Sequence, residues 1–341
     1  EYMLFKGKKI LITGGTGSLG QALTKKLLSM DVDTIRIFSR NESKQVEMES
    51  QFNDDRLRFL LGDIRDLRRL NKAFEDIDIV FHTAALKHVP KIEYNPFEGI
   101  ETNVIGSQNV IDASLSNNIE KSICVGTDKA VYPSNTYGAT KLLMEKLFVT
   151  AQNHMNLEKT RTRFVALRYG NVLGSSGSVL PKFIEMIKNK KSIPITHESM
   201  TRYTLTMDEA LNFILTSSEM AFGSEVFVPK LKSYNILDLK NALTDILDTN
   251  VDEQIIGIRE GEKLHELLLN PDELYRTWDY EGRYIIEPFD ISNNSKIEKN
   301  YPGIKKLNDD STLYSSESAE RLSVSELKKI IVNSGLINLE N

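Results

Sequence analysis

Cysteine is almost missing: one residue, Cys124, in a chain of 341. A single thiol closes no internal disulfide and builds no cysteine-based zinc site. Its place in the apolar run Ile123-Cys124-Val125 fits a reducing, cytoplasmic setting. Long apolar runs are missing too. No stretch reaches the ~18–20 residues that a membrane-crossing helix needs, and no basic-then-apolar signal layout opens the chain, so a soluble protein with no membrane insertion is expected. Positive charge is not in excess: 43 Lys and Arg stand against 48 Asp and Glu, a net −5. That balance is not the footprint of a nucleic-acid binder, although it leaves room for a local basic site. Histidine is sparse at 5 residues. His265 lacks the His-x-x-x-His partner of a zinc helix, so it reads as structural and no metal is expected.

The rest of the composition, 40% apolar, 27% charged and 8% aromatic, is that of an ordinary globular protein. At ~100–200 residues per domain the length allows about two domains. From Lys8 onward short β-branched runs alternate with helical patterns, the rhythm of a parallel sheet with crossover helices. The expected strands are Lys9–Thr13, Thr34–Phe38, Arg58–Leu61, Ile77–Phe81, Ser122–Val125 and Phe164–Leu167, with helices such as Leu19–Met30 and Thr140–Ala151 between them. The rhythm breaks after Arg168, where Tyr169 to Ser178 is too rich in Gly and Ser for a regular element. A smaller lobe is expected to follow. Its helices should lie at Pro181–Asn189, Asp208–Ala221, Leu237–Leu247 and Glu262–Leu269, and its strands at Glu225–Val228 and Gln254–Ile258. A polar, loop-like tail over Ile291–Ser318 then leads to a last helix at Ser325–Val332. The expected fold is α/β: a Rossmann-type doubly wound parallel sheet with a smaller mixed α/β substrate-binding lobe. Residues 3–168 form the dinucleotide domain, with later segments crossing back into it; residues 169–290 form the lobe, and 291–341 the tail and helix.

Three motifs carry chemistry. Thr13-Gly14-Gly15-Thr16-Gly17-Ser18-Leu19-Gly20 joins a strand to a helix. Such spacing permits a tight turn and brings backbone N–H groups and a helix N-terminus to a pyrophosphate. About 20 residues on, where an NAD enzyme places an acidic residue on the ribose, the chain has Ser39 and Arg40, with Lys44 one turn later. A guanidinium there favours the 2′-phosphate of NADP. Asp63 and Ile64, after the third strand, are placed for the adenine. Finally, Tyr137-Gly138-Ala139-Thr140-Lys141 puts a phenol and an ammonium on one helix face. A lysine beside a tyrosine stabilises the phenolate, a usable base.

The chain resembles the extended short-chain dehydrogenase/reductase family. Phe81-His82-Thr83-Ala84-Ala85 resembles the family's cofactor-side turn, which brings in Ala84 and Ala85, and Thr102-Asn103-Val104-Ile105-Gly106 resembles the helix segment that steadies the active site. Thr127-Asp128-Lys129-Ala130-Val131-Tyr132-Pro133 is the sharpest feature. Its Asp-Lys pair resembles the UDP-N-acetylglucosamine 4,6-dehydratases, in particular the C5-inverting group that opens pseudaminic-acid-type pathways. Further blocks at Ala85–Pro90, Arg168–Val172, Met200–Tyr203 and Ile256–Glu266 match that group.

The resemblance implies an NADP-dependent lyase acting on UDP-N-acetylglucosamine. Its product would be the 4-keto-6-deoxy sugar nucleotide UDP-2-acetamido-2,6-dideoxy-β-L-arabino-hex-4-ulose, used in surface-glycan or nonulosonic-acid synthesis. The C5 proton of a sugar becomes acidic once C4 is a ketone, and a nicotinamide takes the C4 hydride and later returns it to C6. Tyr137 is then the base for the C4 hydroxyl, Lys141 its electrostatic partner and ribose anchor, and Thr127 a hydrogen-bond partner to the same oxygen. Lys129 takes the C5 proton, provided burial or Lys141 renders it neutral, and Asp128 protonates the departing C6 hydroxyl; sequence does not settle which of the two does which step. Arg202 and Arg259 suit the diphosphate, with Asn171, Lys87, Lys182 and Glu262 as further substrate contacts. A homo-oligomer, dimer or hexamer, is expected. A UDP-sugar 4-epimerase and a non-catalytic NADP-binding protein remain as alternatives.

Overall fold

The computed structural model describes residues 2–175, 178–288, 295–308, 310 and 314–337. The dinucleotide half runs β1 (Lys9–Thr13), α1 (Ser18–Leu28), β2 (Thr34–Ser39), α2 (Glu42–Phe52), β3 (Leu57–Leu61), α3 (Leu67–Phe74) and β4 (Ile79–His82). It continues through α4 (Val89–Tyr94), α5 (Pro96–Gly99), a π-helical turn at Ile100–Ile105, α6 (Gly106–Ser116), β5 (Lys121–Thr127), α7 (Thr136–Thr150) and β6 (Arg163–Tyr169). The lobe and its returns contribute β7 (Asn171–Val172), α8 (Val179–Lys188), β8 (Ile193–Ile195), β9 (Thr201–Leu205), α9 (Met207–Met220), β10 (Val226–Pro229), β11 (Lys232–Asn235), α10 (Ile236–Ile246) and β12 (Glu253–Ile255). The last elements are β13 (Thr277–Tyr280), β14 (Arg283–Ile286), α11 (Ile297–Asn300), β15 (Lys305–Lys306) and α12 (Val324–Asn333).

The main sheet has 10 strands in the order β15-β13-β14-β10-β6-β5-β4-β1-β2-β3. From β3 to β10 every pairing is parallel, and β14, β13 and β15 close that edge antiparallel. This is the doubly wound order. Its central strands are apolar on both faces because helices cover both: Leu11 and Val80 pack toward one layer, Ile10, Ile12 and Phe81 toward the other. The register pairs Thr13 with both Phe38 and His82, His82 with Cys124, and Thr127 with Tyr169. A row of polar strand ends therefore faces the carboxyl edge, where ligands bind in such sheets.

The lobe is built on the three-stranded sheet β11-β9-β7 and the pair β12-β8. Leu180 and Phe183 of α8, Leu239 and Leu243 of α10, and Leu327 and Ile331 of α12 form its separate core. No helix among the described residues is long and apolar enough to cross a membrane.

Three sequence expectations fail. The helix at Glu262–Leu269 is absent, and the segment is a series of bends with a single bridge at Leu267. Its backbone is satisfied from elsewhere: the Leu264 carbonyl accepts from Thr201 N at 3.1 Å, Glu266 O from Ser316 N at 2.8 Å, and Leu268 N donates to Tyr314 O at 2.9 Å. Apolar residues spaced for a helix here meet three different neighbours instead of one face. The tail is not all loop either, since buried Ile297 and Tyr301 anchor α11 and Lys305–Lys306 pairs with β13. The strand expected to reach Ile258 stops at Ile255. The boundary drawn at 290/291, the tail's first residues 291–294, and Ser176 and Gly177 of the Gly/Ser run lie outside the described residues.

Candidate active site

The glycine turn is shaped by what a side chain would strike. Gly14 has φ +65° and a Cβ there would lie 2.8 Å from Ala84 Cα, so the β1 and β4 turns touch through backbone alone. Gly17 caps α1 without a side chain, leaving the start of the helix open to an anion. Around this turn lies a cleft of about 760 Å³, within the size range of cofactor sites. Gly14, Thr16, Gly17, Ser18, Leu19, Gly20, Ser39, Arg40, Lys44, Asp63, Ile64, Ala84 and Ala85 all line it, as do Thr127, Tyr137 and Lys141. The bare glycines, helix terminus and bordering cations fit a dinucleotide. Arg40 is exposed and 4.0 Å from Asp63, whose carboxylate is gripped by Arg65 at 2.9 Å. Lys87, expected at the substrate, lines this cleft, and burial followed by the charge of Lys44 lowers its proton affinity.

Behind the cleft, Thr13 organises the floor. Its hydroxyl oxygen accepts from Thr83 N at 3.1 Å and Ala84 N at 3.2 Å. Ser107 Oγ donates to Asn103 O at 2.6 Å, so it accepts from His82 Nε2 at 2.9 Å. That leaves His82 Nδ1 to accept from the Thr13 hydroxyl at 2.7 Å. Burial, then the charge of Lys141, pushes His82 down to about 3, which keeps this chain neutral. Asn103, in the π-helical turn, bonds both backbone groups of Leu86 at 2.8 Å and reaches Thr140 Oγ1 at 3.0 Å.

The reactive groups stand at the ends of β5 and α7. After Thr127 the chain makes one tight turn, Asp128–Ala130, held by Lys129 N donating to Thr127 Oγ1 at 3.2 Å. Helix α7 starts four residues before its apolar periodicity because Asn135 caps it, accepting from Gly138 N at 2.7 Å. Gly138 rests against the Lys129 carbonyl with no room for a side chain, which brings Tyr137 over the Asp128 turn. Asp128 is buried, 1% exposed, and Lys129 Nζ lies 3.5 Å from its Oδ1 and 3.4 Å from Asn171 Oδ1.

The two lysines depart from expectation. Lys141 donates to the Val125 carbonyl at 3.0 Å, and burial lowers it to about 8. The cation that acts on Tyr137 is Lys129: burial, with Asp128, holds the phenol above its ordinary value, against the opposing pull of Lys129 and a hydrogen bond with Thr127. Lys129 is not made neutral by burial or by Lys141. Burial alone would lower it, but Asp128 first, with Glu266 and Tyr137 adding when they are ionised, holds it above the ordinary lysine value.

A second cavity of about 200 Å³ opens beyond Asn171 and Val172, which line both spaces. Lys182, Arg202, Arg259 and Glu262 border it, together with Thr196, Met200, Thr204 and Tyr234, which sequence reading missed. Arg202 is largely committed to protein: it donates to the carbonyls of Thr201 at 2.7 Å, Lys263 at 2.7 Å and Leu264 at 3.2 Å. It straps the bent segment as well as lining the pocket, whereas Arg259 is exposed and meets Glu262 through its backbone, N to the carboxylate at 3.4 Å and O from Glu262 N at 3.1 Å. His265 accepts or donates at Thr201 Oγ1, 2.6 Å away, in a structural role. Also unforeseen is Arg168, 2% exposed, which grips Glu145 at 2.6 and 3.1 Å, Glu273 at 2.5 and 3.3 Å, and the Leu268 carbonyl at 3.0 Å.

Sheet order, glycine turn and the Tyr137/Lys141 helix together define an extended short-chain dehydrogenase/reductase. Within that class the chain belongs to the polysaccharide biosynthesis protein family, whose sequence profile matches residues 10–288. It is 44% identical over 338 residues to UDP-N-acetylglucosamine 4,6-dehydratase (inverting) of Campylobacter jejuni subsp. jejuni serotype O:23/36 (strain 81-176), covering 96% of this chain and 98% of that one. It is 39% identical over 336 residues to UDP-glucose 4-epimerase of Rickettsia bellii (strain OSU 85-389), covering 97% of each. Among solved structures, the X-ray structure of Pen from Bacillus thuringiensis matches with a TM-score of 0.89 and 35% identity, over 98% of this chain and 100% of that one.

Proposed function

We propose that the protein is an NADP-dependent UDP-N-acetylglucosamine 4,6-dehydratase that inverts C5. The observation that carries this reading is the pair of buried Asp128 and half-buried Lys129, 3.5 Å apart beside Tyr137 and tied to Asn171 of the lobe. An epimerase needs only a base at C4; a second acid–base pair over C5 and C6 serves elimination. The inverting outcome rests on the likeness to the Campylobacter enzyme. Arg40, Lys44 and Lys87 along one cleft support the 2′-phosphate of NADP over NAD.

NADP, when bound, takes the hydride from C4 and returns it to C6. Tyr137 accepts the C4 hydroxyl proton, with Thr127 bonded to the same oxygen and Lys129 as the stabilising charge. Lys141 anchors the ribose. The Asp128–Lys129 pair shares one mobile proton. Lys129 as ammonium serves the C4 step; once Tyr137 has taken that proton, the closed, water-free cleft favours the neutral form of the pair, because burying charges without water is costly. In that form Lys129 accepts the C5 proton and Asp128 donates to the leaving C6 hydroxyl. Arg259 and Lys182 hold the diphosphate, Asn171 the sugar, and Glu262 and Arg202 shape the pocket. The same reading has the enzyme act in the cytoplasm as a homo-oligomer; exposed Tyr94, Phe97, Ile105 and Leu143 offer an apolar surface for pairing.

The test is incubation with UDP-N-acetylglucosamine in deuterated water without added cofactor, followed by NMR. A 4-keto-6-deoxy product carrying deuterium at C5 is expected. Conversion only to UDP-N-acetylgalactosamine would replace this reading with a 4-epimerase, and no turnover by protein that retains NADP would leave a non-catalytic binder.

A further inference from the structure

Glu266 is a buried carboxyl group without adequate partners. It is 4% exposed, and its Oε2 has no hydrogen bond among the described residues. The nearest cations stand beyond hydrogen-bond range, Lys263 Nζ at 3.8 Å and Arg202 Nε at 3.9 Å. Both are engaged elsewhere, Lys263 with the Val131 carbonyl at 2.6 Å and Arg202 with the carbonyls described above. The groups that face Glu266 are Asp128 and Lys129 from the β5 turn, Arg202 and Tyr203 from β9, and Lys263 from its own segment. An ionised carboxylate with an unbonded buried oxygen is the costly state; the protonated acid is the cheaper one. Burial and the neighbouring Asp128 act in that direction, against Lys129, Arg202 and Lys263.

Proton counting gives such a group a task, on the dehydratase reading above. In each turnover Tyr137 gains the C4 hydroxyl proton and the base gains the C5 proton, while one proton leaves with the C6 hydroxyl as water and one returns to C5. Gains and losses balance. With inversion, however, the proton returns to C5 on the face opposite the one it left, so donor and acceptor differ: the base must give up a proton and the donor regain one, exchangeable with solvent, before the next cycle.

We propose that Glu266 is a positioning residue that stores this proton, protonated in the resting enzyme and exchanging it with the Asp128–Lys129 pair to reset that pair between turnovers. Its ionisation also sets the charge on Lys129, since a second carboxylate beside the amine holds it as ammonium.

The experiment compares full-length wild type with Glu266→Gln, which keeps shape and loses the proton. Single-turnover formation of reduced cofactor, the C4 step, should be unchanged. Steady-state dehydration should fall about tenfold, the factor one unit of pKa represents, and the alkaline limb of the wild-type pH profile should disappear. Infrared spectra of the wild type at neutral pH should show a protonated-carboxyl band that survives in Asp128→Asn. A wild-type rate and pH profile in Glu266→Gln would overturn the proposal. So would the absence of that band in the wild type, a measurement that stands even if the variant does not fold. If wild type makes no 4-keto product, the dehydratase reading fails instead, and the infrared band still reports on Glu266.

Discussion

On the sheet side of the cleft, Lys141 bonds neutral groups, the Val125 carbonyl and Met144, beside the uncharged His82 chain, with Glu145 acting from further off. On the lobe side, Lys129 lies against Asp128 and near Glu266. Both amines are well shielded, and they shift in opposite directions, Lys141 down to about 8 and Lys129 up. Burial lowers both amines; it prevails at Lys141 and is outweighed at Lys129 by the adjacent carboxylate. Arg168 maintains the contrast. Glu145 is the nearby carboxylate that raises Lys141, and Arg168 holds it in a two-sided grip with Glu273.

The contrast is tested most severely by removing its lobe side. Lys129→Ala should lose roughly 10²–10⁴-fold in dehydration, the usual size of an acid–base contribution, with reduction of cofactor at C4 slowed less because Tyr137 and Thr127 remain. Dehydration at the wild-type rate would show that the base lies elsewhere. Next, Arg168→Met leaves two buried carboxylates without their cation and should cost about 3–5 kcal/mol in urea unfolding. A change near zero would mean that the fork does not hold the halves together.

Lys141→Met tests the sheet side. Because the folded state lowers this lysine to about 8 from 10.5, the unfolded chain binds more protons between those values, and wild-type stability rises with pH across that window. The variant should therefore be inactive yet more stable near neutrality, by about 1–3 kcal/mol. The gain should shrink as pH passes 8 toward 10.5; a gain independent of pH would contradict it. The smallest effect is expected at the exposed Arg40. Arg40→Ala should weaken NADP about tenfold more than NAD, the scale of one charged hydrogen bond, measured by calorimetric titration. Equal losses would remove the case for the 2′-phosphate.

What was legible in the chain was local. Strands with β-branched runs, the glycine turn, and the four-residue spacing of Tyr137 and Lys141 depend on neighbours a few residues away, so their pattern survives in one dimension. The Asp128–Lys129 pair was visible as a motif, but the charge of its lysine was not, because that depends on Glu266 from a distant segment. Likewise the Arg168 fork joins Glu145 to Glu273, 105 residues from Arg168, and no spacing rule links them. Glu262–Leu269 misled for the same reason: its apolar periodicity satisfied a helical template, whereas Thr201, Ser316 and Tyr314 supply hydrogen bonds to an irregular, bent segment.

The Arg168 fork also bears on how the molecule comes apart. It binds α7 and β6 of one half to the segment that leaves the lobe, and it does so with charges that neither half can shelter alone. A partly opened molecule, with one half intact and the other loose, would strand an ion in a dry interior. Melting is therefore expected as one cooperative event, and a lesion in either half is felt by both, so the two lobes share a single lifetime.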